Sequence, residues 1–409
     1  MVEQNTLRLE VVAMYKKKNS LEYLVGNKEV SNMSLPPFEN IICNFLGELS
    51  KELNLDKSTK KYPDIKALAF WCRKQKILNY KKTFNTKEIR LGLGLIFHIT
   101  PSNIPTNFAY SLIFGLITGN SNIVKVPSKN FEQVTIICRV INKLLKKRFR
   151  KLSKMISIVR YSNYEDFTKK ISERCNVRII WGGDKTIKDI RKYPLSVRSF
   201  DITFADRYSL CIINSNELIK LNSIQLKRLS ERFYNDTYIV DQNACSSPHI
   251  ILWQGNKINL AKKTFWKSVE ETVRLKYILT DSVSMNKYTQ LCSEILNNQN
   301  INKINKYNNF IYTISLKKLD KNLHNLRGKW GIFFEYNIVS LNKIKDYINN
   351  KYQTLTYWGL KKEKLETFIK KNCIKGIDRI VPIGQALDIN FFWDGYDLNK
   401  VLTRVIDLK

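Results

Sequence analysis

From residue 92 onward the chain alternates short apolar runs with stretches at helical spacing. LGLIFHI predicts a strand, and NFAYSLIFGLI, apolar nearly all round, predicts a helix buried on every side. NIVKV predicts the next strand, and FEQVTIICRVINKLLKKRF carries helical periodicity with a basic end suited to a helix C-terminus. ISIVRY, NYEDFTKKISER, NVRIIW, DKTIKDIRKY and YSLCII continue the alternation. Strands separated by helices of ~10–15 residues predict an α/β fold with a parallel, doubly wound sheet.

A second unit starts at the helix in ELIKLNSIQLKRLSERFYND, which runs into the loop VDQNACSSP. PHIILW predicts a strand, a long helix reaches about Tyr277, and MNKYTQLCSEILNN predicts another. FIYTISL and WGIFFEYNIVSL extend the α/β pattern, and the tail RIVPIGQALDINFFWDGYDL is rich in aromatics and turns. The expected division is a first domain over 1–225, a second over 226–380, and a segment over 381–409 that packs back on the body or forms an oligomer interface. Residues 1 to about 90 mix short strands and helices and carry no legible chemistry. Neither an internal repeat nor a low-complexity linker interrupts the pattern.

Composition narrows the class. The 409 residues are 44% hydrophobic and 11% aromatic, enough to bury a sizeable core and too much for disorder. The formal net charge is +33, but the lysines are scattered in short clusters such as Lys16-Lys17-Lys18 and Lys146-Lys147-Arg148. That pattern suits a solvated basic surface, or an attraction for phosphorylated or acidic ligands, better than a nucleic-acid stripe. Eight cysteines stand singly at 43, 72, 138, 175, 211, 245, 292 and 373, and with three histidines no zinc set assembles by spacing. Lone cysteines in a chain this large imply a reduced, cytoplasmic protein. MVEQNTLRLEVV lacks a signal-peptide layout, and the longest apolar stretches fall short of the ~18–20 residues that span a bilayer.

Three stretches invite a chemical reading. In LGLGLIF, Gly92-x-Gly94 lacks the third glycine of a dinucleotide fingerprint, Phe97 being in its place, and a turn entering a strand explains it better. Cys245, in DQNACSSPH, has small polar neighbours, unlike the cysteines of IICNF, IICRV and SLCII. A thiolate can form and meet a ligand in such a setting, although the local sequence leaves a structural cysteine open. His249, four residues on, is a candidate base or a structural residue at a strand entrance. Asn103, between Pro101 and Pro105 in TPSNIP, sits in a rigid loop that aims its amide as an oxyanion needs; a plain turn former is the other reading.

Together, TPSNIP, GNSNIVKVPS, WGG and QNAC, in that order, resemble the aldehyde dehydrogenase superfamily. Within it, HITPSNIP, QNACSSPH and RIVPIGQALD followed by WDGYDL resemble the bioluminescence-type acyl-CoA reductases, the LuxC family, from about residue 90 to the end. The resemblance implies a Rossmann-type cofactor domain plus an α/β catalytic domain that carries the nucleophilic cysteine. It gives Cys245 the role of nucleophile and Asn103, with the Cys245 backbone N–H, that of oxyanion donor. Lys125 matches the lysine that reaches the adenosine ribose of a nicotinamide cofactor, and Gly183 the glycine where a helix N-terminus approaches it.

Two departures from the superfamily pattern refine the expectation. NAD-dependent members carry a glutamate three residues after that lysine; Ser128, followed by Lys129, stands here. A hydroxyl and a cation accept a 2′-phosphate that a carboxylate repels, so NADPH is expected, with Arg160 as a further cation facing it. In SFDITFADRYSLCII, Thr203 takes the place of the glutamate that activates water in hydrolytic members. Lacking that base, the acyl-cysteine waits for hydride or for another thiol. The expected reaction is NADPH-dependent reduction of an acyl thioester, from acyl-CoA or an acyl carrier protein, to the aldehyde. The competing readings are a CoA-acylating aldehyde dehydrogenase for short aldehydes and, motivated by charge alone, a nucleic-acid-binding protein. Superfamily members form homodimers or homotetramers.

Overall fold

The computed structural model describes residues 21–84, 87–162 and 165–409. Two compact units divide it, one formed by Met1–Ala205 with Tyr396–Lys409 and the other by Asp206–Gly395. The sequence-based division lies at 225 and 380 instead. The strand in YSLCII is the reason: it continues the first alternation along the chain but hydrogen-bonds into the second unit's sheet.

In the first unit, strands β1 (Glu22–Val25), β3 (Leu95–Ile99), β4 (Ser121–Val126), β5 (Ile156–Arg160), β6 (Val177–Trp181) and β7 (Phe200–Phe204) form one sheet in the order β1-β5-β4-β3-β6-β7. All neighbours are parallel except β1, which runs antiparallel to β5. β3 and β6 are buried throughout, as strands covered on both faces must be. The all-apolar helix predicted after β3 is α4 (Asn107–Ile117), buried along nearly its whole length. It is preceded by α1 (Asn40–Leu55), α2 (Pro63–Trp71) and α3 (Lys74–Thr83), and followed by α5 (Glu132–Lys147), α6 (Glu165–Arg174) and α7 (Asp184–Ile190). From β3 the chain winds outward through β4 to β5, then crosses to β6 and β7. This leaves a switch point at the carboxyl ends of β3 and β6, where doubly wound sheets hold their ligands.

The glycines before β3 serve the backbone. A Cβ on Gly92 would lie 2.6 Å from the Gly119 carbonyl oxygen, and Gly94 turns into β3 at φ +124°. β2 (Ile89–Gly92) pairs antiparallel with the C-terminal strand Thr403–Ile406, which ties the tail to this unit.

The second unit holds β8 (Tyr208–Asn214), β9 (Pro248–Gln254), β10 (Ile301–Tyr307), β11 (Ile311–Leu316), β12 (Ile332–Ile338), β13 (Tyr352–Trp358) and β14 (Arg379–Pro382). Their order is β10-β11-β12-β9-β8-β13-β14, parallel except for β10. Alternate residues of the same strands feed two cores. Leu210, Ile250, Leu252 and Phe334 pack on one face; Cys211, Ile251, Trp253 and Phe333 pack on the other with Phe233, Phe265 and Trp266. The second group comes from helices α9 (Ser223–Thr237), closed by an Asn222/Gln225 capping box, and α10 (Ile258–Lys276). A short turn, α8 (Ser215–Leu218), precedes them, and α11 (Asp281–Asn297) and α12 (Lys362–Asn372) follow later in the unit. Among the described residues no helix is long and apolar enough to cross a membrane, and no group of three or more His, Cys, Asp or Glu is placed to hold a metal ion.

Candidate active site

Cys245 lies in the second unit, in the loop between α9 and β9. Two consecutive non-glycine residues there, Asp241 (φ 51°) and Gln242 (φ 57°), adopt the left-handed conformation, which costs on the order of 1–3 kcal/mol each unless the surroundings enforce it. They are enforced. The buried Gln242 amide donates to the Ile332 carbonyl at 3.2 Å and accepts from the Gly331 N–H at 2.8 Å. Ser247 N–H closes the turn on the Ala244 carbonyl at 2.9 Å, and its hydroxyl donates to the Asp236 carbonyl at 2.7 Å. The Ser209 hydroxyl, from β8, donates to the Cys245 carbonyl at 2.6 Å. The thiol is therefore carried on a loop pinned at both ends.

Around the sulfur the groups are charged. Cys245 is half-buried, and its Sγ donates to Asp206 Oδ1 at 3.7 Å. The other oxygen, Oδ2, receives Arg327 Nη2 at 3.0 Å. Arg327 is fixed in turn by the Arg207 carbonyl at 2.8 Å and the His324 carbonyl at 3.1 Å, and it lies over the Tyr208 ring. Arg207 pairs with Asp378 at 2.7 Å. Burial pushes the Cys245 thiol up to about 11; the negative charges of Asp206 and Asp394 add to this, against the Arg207 backbone N–H and the Arg327 charge. Asp394, an acceptor for the Gln353 amide, is itself pushed up by burial to about 6. The resting thiol is protonated.

His249 is no base for it. The ring is buried in β9 and stacked on Tyr208, with Nδ1–H donating to the Gly328 carbonyl at 3.0 Å, and burial drives its pKa down to about 3. Asp206 and Arg327 are the additions that sequence reasoning missed. Asp206 lies 39 positions from Cys245 and Arg327 lies 121 from Asp206, so no local spacing links them.

In the first unit, the residues singled out for a cofactor sit at the carboxyl ends of the parallel strands. Lys125 is half-buried near the end of β4, its ammonium 5.0 Å from the centre of the Tyr161 ring, and desolvation lowers its pKa. Among the described residues no carboxylate offsets that desolvation. Ser128 and Lys129 follow β4 on an exposed loop, with Lys129 over the Phe131 ring. Gly183 caps α7 at φ −68°, a conformation any residue adopts, and a Cβ there would meet nothing within 4 Å. The fold itself does not ask for glycine at this position.

Arg160 stands apart from this set. Register pairs Val126 with Arg160 and Lys125 with Val159, so Arg160 and Lys125 project from opposite faces of the sheet. Its Nη1 meets Glu22 at 3.1 Å, and its charge acts on Cys138 of α5. Arg160 and the Lys125 ammonium are therefore not brought together. Asn103 is exposed in the bend between β3 and α4, and Thr203 is half-buried in β7; both belong to the first unit.

The bend that carries Asn103 springs from a satisfied polar core. His98 of β3 accepts at Nδ1 from the Ser111 hydroxyl at 2.7 Å and donates from Nε2 to Asn122 Oδ1 at 2.9 Å, and the Trp181 indole N–H donates to Ser111 at 3.0 Å. Burial pushes His98 down to about 4, so it is neutral at pH 7.

A Rossmann-type parallel sheet together with a second α/β unit that carries a cysteine on the loop before β9 is the arrangement of the aldehyde dehydrogenase fold. An indole-3-acetaldehyde dehydrogenase solved with NAD+ matches 90% of this chain and 82% of its own at a TM-score of 0.61 and 12% identity. Family comparison narrows this further: the acyl-CoA reductase (LuxC) family matches residues 72–404, and the chain belongs to that family. It is similar to the long-chain acyl-protein thioester reductase of Aliivibrio fischeri, 25% identical over 186 residues. A second such reductase, from Photobacterium leiognathi, is 25% identical over 173 residues. The matches cover 44% and 42% of this chain, and the chain spans about a third of the length of these curated relatives, 36% and 34%.

Proposed function

We propose that this protein reduces an acyl thioester to the aldehyde through an acyl-cysteine on Cys245, with a nicotinamide cofactor as reductant. The family match that runs through the thiol loop carries this reading, supported by the pinning of that loop around a half-buried sulfur. The second unit is the thiol domain and the first the cofactor domain. The Cys245 sulfur attacks the thioester carbonyl carbon; Asn103 and the Cys245 backbone N–H are assigned to the oxyanion, by their match to the family motifs. Thr203 stands where hydrolytic members of the superfamily carry the glutamate that activates water, which favours reduction of the acyl-cysteine over its hydrolysis.

The first unit's residues suit a nicotinamide cofactor. Lys125 offers an unpaired, partly desolvated ammonium at the carboxyl ends, and the space a Cβ would take at Gly183 is open at the start of α7. Lys125 and Gly183 would hold the cofactor, and Ser128 with Lys129 favours a 2′-phosphate, hence NADPH. Bound there, the cofactor supplies the hydride that the acyl-cysteine accepts. The acyl donor is a long-chain acyl-CoA or an acyl-protein; the basic surface suits either the phosphates of CoA or an acidic carrier.

Intact-protein mass spectrometry tests the reading. Wild type incubated with acyl-CoA or acyl carrier protein gains one acyl adduct, Cys245→Ala gains none, and NADPH discharges the adduct as aldehyde. No adduct from either donor refutes the proposal. Strong, salt-dependent binding to DNA or RNA in its place would favour the nucleic-acid reading instead.

A further inference from the structure

We propose that Asp206, held by Arg327, is the catalytic group that takes the proton from the Cys245 thiol as its sulfur attacks the acyl carbon. This rests on the reading of Cys245 as the nucleophile.

The two oxygens of Asp206 have separate tasks. Oδ1 receives the S–H at 3.7 Å and Oδ2 receives Arg327 Nη2 at 3.0 Å. Arg327 has no freedom to follow another partner, since the Arg207 and His324 carbonyls hold its remaining nitrogens. The backbone that carries the sulfur is held as well, because the Ser209 hydroxyl donates to the Cys245 carbonyl. The alternatives are occupied. His249 is buried and bound to the Gly328 carbonyl, and Asp394 takes the Gln353 amide and acts on the sulfur only through its charge. Arg207 is engaged by Asp378, and its contribution to the sulfur is its backbone N–H.

Electrostatics favour this route over a preformed thiolate. With the thiol pushed up to about 11, only about one molecule in ten thousand is ionised at pH 7. Asp206 makes that fraction smaller, because its charge opposes the thiolate. A carboxylate so placed speeds the reaction only by removing the proton while the new bond forms. In the step, the Sγ–C bond forms as the S–H proton passes to Asp206 Oδ1, and the tetrahedral oxyanion collapses with cleavage of the C–S bond to the donor. The departing thiolate then takes the proton back from Asp206. No electrons are transferred, and the carboxylate is regenerated before reduction begins.

The test follows two rates on the full-length protein and on Asp206→Asn: acylation of Cys245 by an acyl thioester, and its alkylation by iodoacetamide. Both are read by peptide mass spectrometry from pH 6 to 10. Asp206→Asn is expected to acylate about 100-fold more slowly at pH 7, with a rate that climbs roughly tenfold per pH unit. The same variant is expected to alkylate as fast as wild type or faster, because a charge opposing the thiolate is gone. A purely electrostatic or structural role moves both rates the same way, and that result overturns the proposal, as does wild-type acylation by Asp206→Asn. Arg327→Gln, which frees the carboxylate from its anchor, should slow acylation less than Asp206→Asn, and it should slow alkylation too, because the Arg327 charge favours the thiolate. If the wild type forms no adduct on Cys245, the nucleophile reading itself fails and Asp206 falls with it.

Discussion

Acidification to pH 5 should destabilise the first unit through one residue, His98. In the fold its pKa is pushed down to about 4 from an ordinary value of 6.5, because the ring is fully buried between Ser111 and Asn122 and burial penalises its charged form. Below pH 6.5 the unfolded chain binds a proton that the folded one refuses, so stability is lost as pH falls, and the loss is complete once pH passes below the folded value. At pH 5 the linkage amounts to about 2 kcal/mol, and below pH 4 to about 3 kcal/mol. Asp236 and Asp394 in the second unit, pushed up by burial to about 7 and about 6, titrate with the opposite sign. The clean observable is therefore local: hydrogen-exchange protection of the β3 amides at pH 7.5 and pH 5, in wild type and in His98→Gln. The variant starts from lower absolute stability, but its protection should change by about 2 kcal/mol less than wild type's between the two pH values. Equal changes in both proteins would mean that His98 is not held neutral, and the buried network would have to be redrawn.

Three further variants have expected outcomes. Asp201→Ala strands the buried Arg178 guanidinium, whose Nε and Nη2 it pairs at 2.8 and 3.1 Å, and should cost about 3–5 kcal/mol in urea unfolding. Gly183→Ala should leave the unfolding midpoint within error, since a Cβ there meets nothing within 4 Å. The same variant should weaken cofactor binding at least tenfold by titration calorimetry, and unchanged binding would remove Gly183 from the cofactor site. Ser128→Glu should shift preference from NADPH toward NADH by roughly 10-fold or more, read as the ratio of dissociation constants, through repulsion of the 2′-phosphate.

The helix and strand types of both units were legible because burial imposes periodicity locally. α4 announced itself by being apolar all round, and α5 by a stripe with a basic end. The thiol loop was legible by contrast, since Cys245 lacks the apolar neighbours of the buried cysteines, and the motif order around it pointed to one family. The unit boundary was not. The run YSLCII looks the same whichever sheet accepts it, and its pairing with PHIILW is a contact the local pattern does not encode. β7, in FDITF, also went unread, because it is only partly buried and its polar positions blur the pattern.

The sequence by itself determined the α/β class, the candidate nucleophile and the positions at the strand ends where a cofactor is expected, because each depends on residues close together in the chain. Tertiary structure decided which side chains share a surface. A strand's faces alternate at every residue, so the pairing of Val126 with Arg160 sends that guanidinium away from Lys125, and a shift of one residue would reverse it. The same holds for the thiol: Asp206 and Arg327 reach Cys245 because β8, β9 and the approach to β12 lie side by side, an adjacency set by burial of the whole sheet rather than by any segment of it.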